Sequence, residues 1–432
     1  MKKLPDAPIV LAGNPELLRN GDVHHRYRQS SDLLWLTGVE HPGYALLLDP
    51  RRREEVLFVP RLTRKHAVWL GHVPSLAEAR EAFGVKKVRY RDELPEALKA
   101  AGKGARLAYA DARAAAEVKR ALPRARVDRP SLSEALAELR IIKDEGELRL
   151  LRRAAEATAA GHLAAMRTAR AGMTEYQVQA ELEREFQRGG CAQMGYGSIV
   201  AAGRNAAVLH YEHNSGTLAD GQLLLIDAGA EYRGYTADVT RTFPVSGRFT
   251  AFQRDLYEVV LAAQQACIEM ARPGRTTIEM QRTAEATLSD GLRGLGLLTG
   301  STDELVDSKA IKVFFPHGIG HALGLDVHDV QGGKRRLLPQ PRSAKLRFRA
   351  RLEPGFVVTV EPGVYFIEAL LTDKELRKEQ RGRVAFEKAL SLLEVGGVRI
   401  EDDVVVQQDG PPENLTLVPK TVADVEAACP RA

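Results

Sequence analysis

The segment LLLIDAGAEYRGYTADVTRTF, residues 223–243, constrains this chain more than any other. An apolar run, Leu223–Ile226, stops abruptly at Asp227, and Asp238 follows 11 residues later. Strands joined by a turn at Tyr232-Arg233-Gly234 would carry both carboxylates to one place. A carboxylate at the end of a buried strand is costly unless it is paired or bound to a cation. The competing reading is two ordinary turn or capping aspartates, because turns recruit Asp freely. This segment alone leaves both open.

Three further segments repeat the theme. FFPHGIGHALGLDVHD, residues 314–329, holds His317, His321 and His328, three of the 11 histidines. Gly318, Gly320 and Gly324 are poor for a continuous helix but let backbone pass close to a metal or substrate. A lone histidine is commonly structural; three together in such a context point to metal binding or acid–base work. VVTVEPG, residues 357–363, sets Glu361 at a strand end before a Pro-Gly turn. In GGVRIEDDVVV, residues 396–406, strand alternation turns Val398, Ile400 and Asp402 one way and Arg399 and Glu401 the other. A solvated face with a local Arg–Glu pair is the alternative there, weakened because two apolar strands each present an acid.

Four carboxylates with one or two histidines suit Mn, Fe, Co or Zn rather than thiolate-seeking ions. Two such ions about 3.5–4 Å apart can clamp a hydrolytic transition state. The chain contains no HExxH helix, P-loop or GxSxG elbow.

At 432 residues the chain exceeds one ordinary domain of roughly 100–200 residues, so two are expected. Sixty-two Lys+Arg against 57 Asp+Glu give a net charge of +5, with the arginines dispersed. Nucleic-acid binding needs a basic patch, so no nucleic-acid partner is expected. Cys191, Cys267 and Cys429 are far apart and odd in number, which suits reduced thiols in the cytoplasm. Lys2 and Lys3 precede the apolar run Ile9–Ala12, too short for a signal-peptide core of about 7–15 residues. No window approaches the roughly 18 apolar residues of a membrane span. A soluble cytoplasmic protein is the expectation.

The first third alternates. Strands are expected at Ala45–Asp49 and Glu55–Pro60 about a turn at Pro50–Arg53, and at Val85–Tyr90 and Ala105–Ala110. Helices are expected at Leu76–Phe83, Leu94–Ala101 and Ala112–Ala121. A helix from Ser131, with Ser133 as candidate N-cap, is interrupted at Lys143–Glu147, and a second runs Glu147–Arg170 to Gly172. The domain boundary is set near residue 140. Beyond it, helices are expected at Thr174–Gly189 and Ala251–Ala271, with strands at Leu223–Asp227, Phe356–Glu361, Val364–Ile367 and Arg399–Val406.

In this order the segments resemble the Xaa-Pro peptidases, the prolidase and aminopeptidase P branch of the superfamily that also holds methionine aminopeptidase and creatinase. The resemblance covers nearly the whole chain and implies an α/β N-terminal domain (1–140) and an α+β pita-bread catalytic domain (141–432). It implies two divalent ions, most naturally Mn, with Co or Zn as alternatives, held by Asp227, Asp238, His321, Glu361 and Glu401. Asp238 and Glu401 would bridge the ions. It further implies Glu361 as general base or proton shuttle, with His210 (in VLHYEHN) and His328 stabilising the oxyanion. His317 and Arg399 would line the substrate site. Trp69 is similar to a tryptophan that reaches a neighbouring subunit's site, so a homodimer or homotetramer is expected. The N-terminal segments RQSSDLLWLTG (28–38) and LFVPRLTRKHAVWLG (57–71) are similar to the family's first domain.

Two activities share this chemistry. A dipeptidase must grip the free carboxylate of proline, for which a bidentate guanidinium is suited. KLRFRARLEPG, residues 345–355, resembles the prolidase loop and offers Arg347, with Arg349 and Arg351 close by. The insert YFIEALL with its helical continuation, residues 365–390, and the ending LTLVPKTVADVEAAC are also prolidase-like, whereas RQSSDLLWLTG is closer to aminopeptidase P. Dipeptidase is slightly favoured. Creatinase-like hydrolases lack the metal ligands and non-catalytic relatives lose several, whereas all five positions carry the matching residue here.

Overall fold

The computed structural model describes residue 4 and residues 6–72, 74–341 and 345–429. Lys2 and Lys3 lie outside these. Contacts divide the chain into two compact units, Met1–Leu139 and Arg140–Ala432.

The N-terminal unit is built on a mixed six-stranded sheet. Its order is Lys87–Tyr90, Glu54–Val59, Ala45–Asp49, Ile9–Ala12, Leu107–Ala110, Arg126–Asp128. Ile9–Ala12, an apolar run of four, is a central strand, antiparallel to Ala45–Asp49 and parallel to Leu107–Ala110. Its side chains alternate: Val10 and Ala12 enter one buried cluster with Phe58, Leu94 and Leu98, while Ile9 and Leu11 enter another with Leu33, Leu57 and Leu136. A sheet buried on both faces reads as continuous hydrophobicity. The expected helices Leu76–Phe83 and Leu94–Ala101 form as read, and the third runs Ala115–Ala121.

Two helix starts differ from expectation. Ser133 does not cap a helix: the helix runs Arg129–Arg140, and Asp128 accepts from the Ser131 N–H at 3.1 Å. The long helix runs Glu145–Thr168, opened by a capping box in which Asp144 accepts from the Glu147 N–H at 2.8 Å and Glu147 accepts from the Asp144 N–H at 2.9 Å. The acidic cluster that reads as an interruption is this helix's start, since reciprocal capping needs an acid three residues in.

In the C-terminal unit, helices Glu145–Thr168, Glu175–Arg188, Ala251–Glu269 and Thr277–Gly294 pack with short sheets around one large core. One sheet orders Ile199–Ala202, Leu223–Asp227, Thr240–Pro244; another orders Val357–Val360, Asp402–Val405, Glu413–Asn414; Gly363–Tyr365 pairs with Gly397–Arg399. The turn between the two aspartates forms as expected, with Arg233 and Gly234 at φ 50° and 85° and Tyr232 opposite Tyr235. Thr240 joins the two halves. It pairs with Asp227 across one sheet and bridges to Glu401 from the other.

Candidate metal centre and substrate cavity

Backbone pairing assembles the acids. The double pairing of Thr240 brings Asp227 and Glu401 to its two sides, and Asp238 lies two residues before it. Strand Val357–Val360 receives the glycine-rich loop on its edge: the Thr359 N–H bonds the His321 carbonyl at 2.9 Å and the Glu361 N–H bonds the Ile319 carbonyl at 2.9 Å. Gly320 is required there, because a Cβ would collide with the Thr359 carbonyl. Gly324 likewise meets Asp329, which holds Lys143 Nζ at 2.9 Å and Arg140 Nη2 at 2.6 Å.

The result is a cavity of about 470 Å³. Asp227, Asp238, His321, Glu361 and Glu401 line it together with His210, His317, His328, Arg347 and Arg399. Trp69 does not line it; it belongs to the N-terminal unit, on helix Arg64–Leu70, and is 79% exposed.

One atom each from Asp238, His321 and Glu401 lies within 4.8 Å of the other two. His321 Nε2 is 3.2 Å from Asp238 Oδ2 and 3.7 Å from Glu361 Oε1. His321 Nδ1 bonds the Ala322 carbonyl at 3.1 Å. A carbonyl only accepts, so Nδ1 carries a proton, and Nε2 is the nitrogen that faces the acids and would serve a metal once its own proton is displaced. Asp238 and Glu401 are 5% and 2% exposed, with Arg399 the guanidinium among them.

Titration directions express the charge imbalance. Burial pushes Glu361 up to about 7. Burial, then Asp238 and Glu361, push Glu401 well above the carboxylate range. Asp238 rises through burial. Burial, the largest single influence, would lower His321, but Asp238, Glu361 and the Ala322 carbonyl together raise it. Acid and imidazole thus move the same way: the cluster lacks positive charge, which a divalent cation supplies. Among the described residues these ligands fit such an ion by donor type, tautomer and charge.

A second chain of contacts leads from the acids to the cavity wall. Arg399 Nη2 pairs with Asp227 Oδ2 at 2.5 Å, and Nη1 donates to Tyr365 Oη at 2.9 Å. His317 Nδ1 donates to the Gly318 carbonyl at 2.8 Å, leaving Nε2 to accept from the Tyr365 hydroxyl at 2.9 Å. His317 is therefore neutral, and burial followed by Arg399 lowers it to about 3. His328 packs edge-on against His321, ring centroids 4.4 Å apart, and burial lowers it to about 4.

Sequence reasoning missed several members. The Tyr196 hydroxyl lies 2.6 Å from both Asp227 and Asp238. Thr240 donates to Glu401 at 2.7 Å and accepts from Arg399 Nε at 3.0 Å. Asp403 accepts the Asp238 N–H at 3.0 Å. The strand after Glu361 was a signal for Tyr365, two residues beyond Gly363 on the same face. The arginines of 347–351 part company in an irregular segment: Lys345 and Arg347 line the cavity, while Arg349 donates to the Leu338 carbonyl and Arg351 to that of Gly274.

The model of metallopeptidase family M24 matches residues 149–408, and that of the aminopeptidase P N-terminal domain matches residues 1–109. The chain belongs to metallopeptidase family M24. Its architecture is the α/β aminopeptidase P N-terminal domain followed by the M24 pita-bread domain. It is 36% identical to the Xaa-Pro dipeptidase of Homo sapiens, covering 99% of this chain and 90% of that one. It is also 36% identical to the Xaa-Pro aminopeptidase of Escherichia coli strain K12, covering 98% and 93%. Among solved structures it resembles Pseudomonas aeruginosa aminopeptidase PepP, with TM-score 0.85, 37% identity and coverage of 98% and 94%. It likewise resembles a Zn-substituted E. coli aminopeptidase P in complex with product, with TM-score 0.85, 34% identity and the same coverage. The chain is thus an M24 metallopeptidase, similar to Xaa-Pro dipeptidases and Xaa-Pro aminopeptidases alike. Among the described residues no helix is long and apolar enough to cross a membrane.

Proposed function

We propose that this M24 enzyme hydrolyses the peptide bond before proline in the cytoplasm, using two divalent ions, Mn in the first instance. The observation that carries this reading is the convergence of Asp227, Asp238, His321, Glu361 and Glu401 on one cavity short of positive charge. Bound there, such ions polarise a peptide carbonyl and acidify a water. The chain's own groups supply the rest. Glu361 accepts the proton of the attacking water and passes it to the proline nitrogen as it leaves. His210 and His328 donate to the developing oxyanion, a contribution often worth about 3–4 kcal/mol per donor. His317 and Arg399 hold the wall against which the substrate lies. Trp69, exposed on its helix, is assigned to a neighbouring copy in a homodimer or homotetramer.

We favour the dipeptidase, because Arg347 with Lys345 at the cavity places cationic groups where a dipeptide's free carboxylate can be gripped. The aminopeptidase is the second reading, favoured by the match of residues 1–109 to the aminopeptidase P N-terminal domain. Hydrolysis of Leu-Pro against Leu-Pro-Gly-Gly, each with added Mn, separates them. A dipeptidase cleaves the first and leaves the second; Arg347→Ala should then cost at least about tenfold in kcat/KM on the dipeptide, the loss of a bidentate charged contact. Efficient cleavage of the longer peptide alone overturns the dipeptidase, and cleavage of neither overturns the Xaa-Pro reading.

A further inference from the structure

His210 is exposed on the cavity wall, in a loop that belongs to no strand or long helix. What fixes that loop is one fully buried carboxylate. Glu175, at the first turn of helix Glu175–Arg188, accepts four hydrogen bonds. Oε1 receives the Ala202 N–H at 2.8 Å and Asn205 Nδ2 at 2.9 Å; Oε2 receives the Tyr211 hydroxyl at 2.8 Å and the Gly216 N–H at 2.6 Å. These donors flank His210 on both sides, and Tyr211 is its immediate neighbour. The same helix face continues the attachment one turn on, where Gln179 accepts from Asn214 at 2.8 Å. Asn214 sits at φ 47°, a left-handed conformation held because its own amide oxygen accepts the Val200 N–H at 2.9 Å.

A helix face at i and i+4 spacing is ordinarily apolar where it is buried. Here the buried Glu175 accepts its four side-chain bonds from the segment around His210 and the strand leading to it, and Gln179, which also donates to Glu183 on its own helix, accepts from Asn214. We propose that Glu175 is the positioning residue for His210, setting the imidazole against the scissile carbonyl of the Xaa-Pro substrate. The proposal rests on the peptidase reading above. It goes further in assigning catalytic geometry to a side chain that does not line the cavity. An amide at this position would turn an NH2 toward donors that need an acceptor, so the loop would shift without any loss of the metal ligands. Shifts on the order of 1 Å in a catalytic group can cost up to about 100-fold in rate.

The test is a double-mutant cycle with Leu-Pro as substrate and Mn present, metal content and circular dichroism being recorded for every variant. Glu175→Gln is expected to lower kcat about tenfold with KM little changed, and to cost nothing further in a His210→Ala background. Equal losses in both backgrounds would show a merely structural role and overturn the proposal, as would no loss in either. Should Glu175→Gln fail to fold, Tyr211→Phe removes one of the four donors and is read in the same two backgrounds, with about a threefold loss expected only when His210 is present. Failure of the peptidase reading is separately visible, because the unaltered chain would then hydrolyse no Xaa-Pro peptide.

Discussion

Thr240 is the side chain on which the centre turns. Its hydroxyl donates to Glu401 at 2.7 Å and accepts from Arg399 at 3.0 Å in a fully buried position. Thr240→Val keeps the shape and removes both bonds. Stability should fall by about 1–3 kcal/mol, the cost of stranding a buried charged partner. Divalent-ion affinity should fall about 10–100-fold, as for other groups that orient ligands; isothermal titration with Mn reads the second number and a urea melt the first. An unchanged ion affinity would separate Thr240 from the centre. No sequence argument singled out this threonine. An acid at the end of an apolar strand advertises its cost, so Asp227 and Glu361 are conspicuous, and alternation correctly turned Glu401 with Arg399 away from Val398 and Ile400. A hydroxyl such as those of Thr240, Tyr196 or Tyr365 is tolerated almost anywhere in a strand. Its role emerges only once pairing has put a carboxylate opposite it.

At the scale of elements, the long helix Glu145–Thr168 presses His162, fully buried, against the loop after Asp227, where Nε2 bonds the Ala228 carbonyl at 3.1 Å. Burial lowers this imidazole from 6.5 to about 4. The unfolded chain binds a proton below about 6.5 that the fold refuses until about 4, so stability is intact above that window and falls as pH drops through it. The slope is about 1.4 kcal/mol per pH unit. A denaturant series on His162→Gln should show that much less pH dependence between those limits, and an identical slope would refute the assignment. The glycine-rich loop yields a second expectation. Gly320→Ala should destabilise by about 3 kcal/mol or more, since the colliding atom is a backbone carbonyl in a strand; a thermal melt within a degree of the parent would contradict it. The glycines themselves were legible as sites of close approach. The start of the long helix was not, because Lys143–Glu147 carries a helix-disfavouring glycine and a charge cluster whose capping geometry shows only in three dimensions. The strand Ile9–Ala12 was visible as an apolar run, yet its central place in the sheet depends on pairing with Leu107–Ala110, almost a hundred positions away.

At the scale of the molecule, each unit owns its core. The large cluster draws only on residues from Ile141 onward, while the two faces of the N-terminal sheet are covered from within residues 1–139. Residues 1–139 expressed alone should therefore melt cooperatively. In the full chain, Mn at about 100 times its dissociation constant should raise the stability of the C-terminal transition by about 2.7 kcal/mol and leave the N-terminal one in place. Calorimetry with and without a chelator reads both, and an ion-dependent N-terminal transition would contradict the division. The α/β alternation of the first third made the N-terminal architecture readable. The second half was readable less from periodicity than from its chemistry, since its strands are short and several are only two or three residues long. The ligand set has one more consequence. Its members run from Asp227 to Glu401, and the last is held by a bridge to Thr240 rather than by anything near it along the chain. During synthesis a ribosome must therefore have carried Glu401 out of its exit tunnel before the cluster can close. A product that stops short of Glu401 has no finished cage.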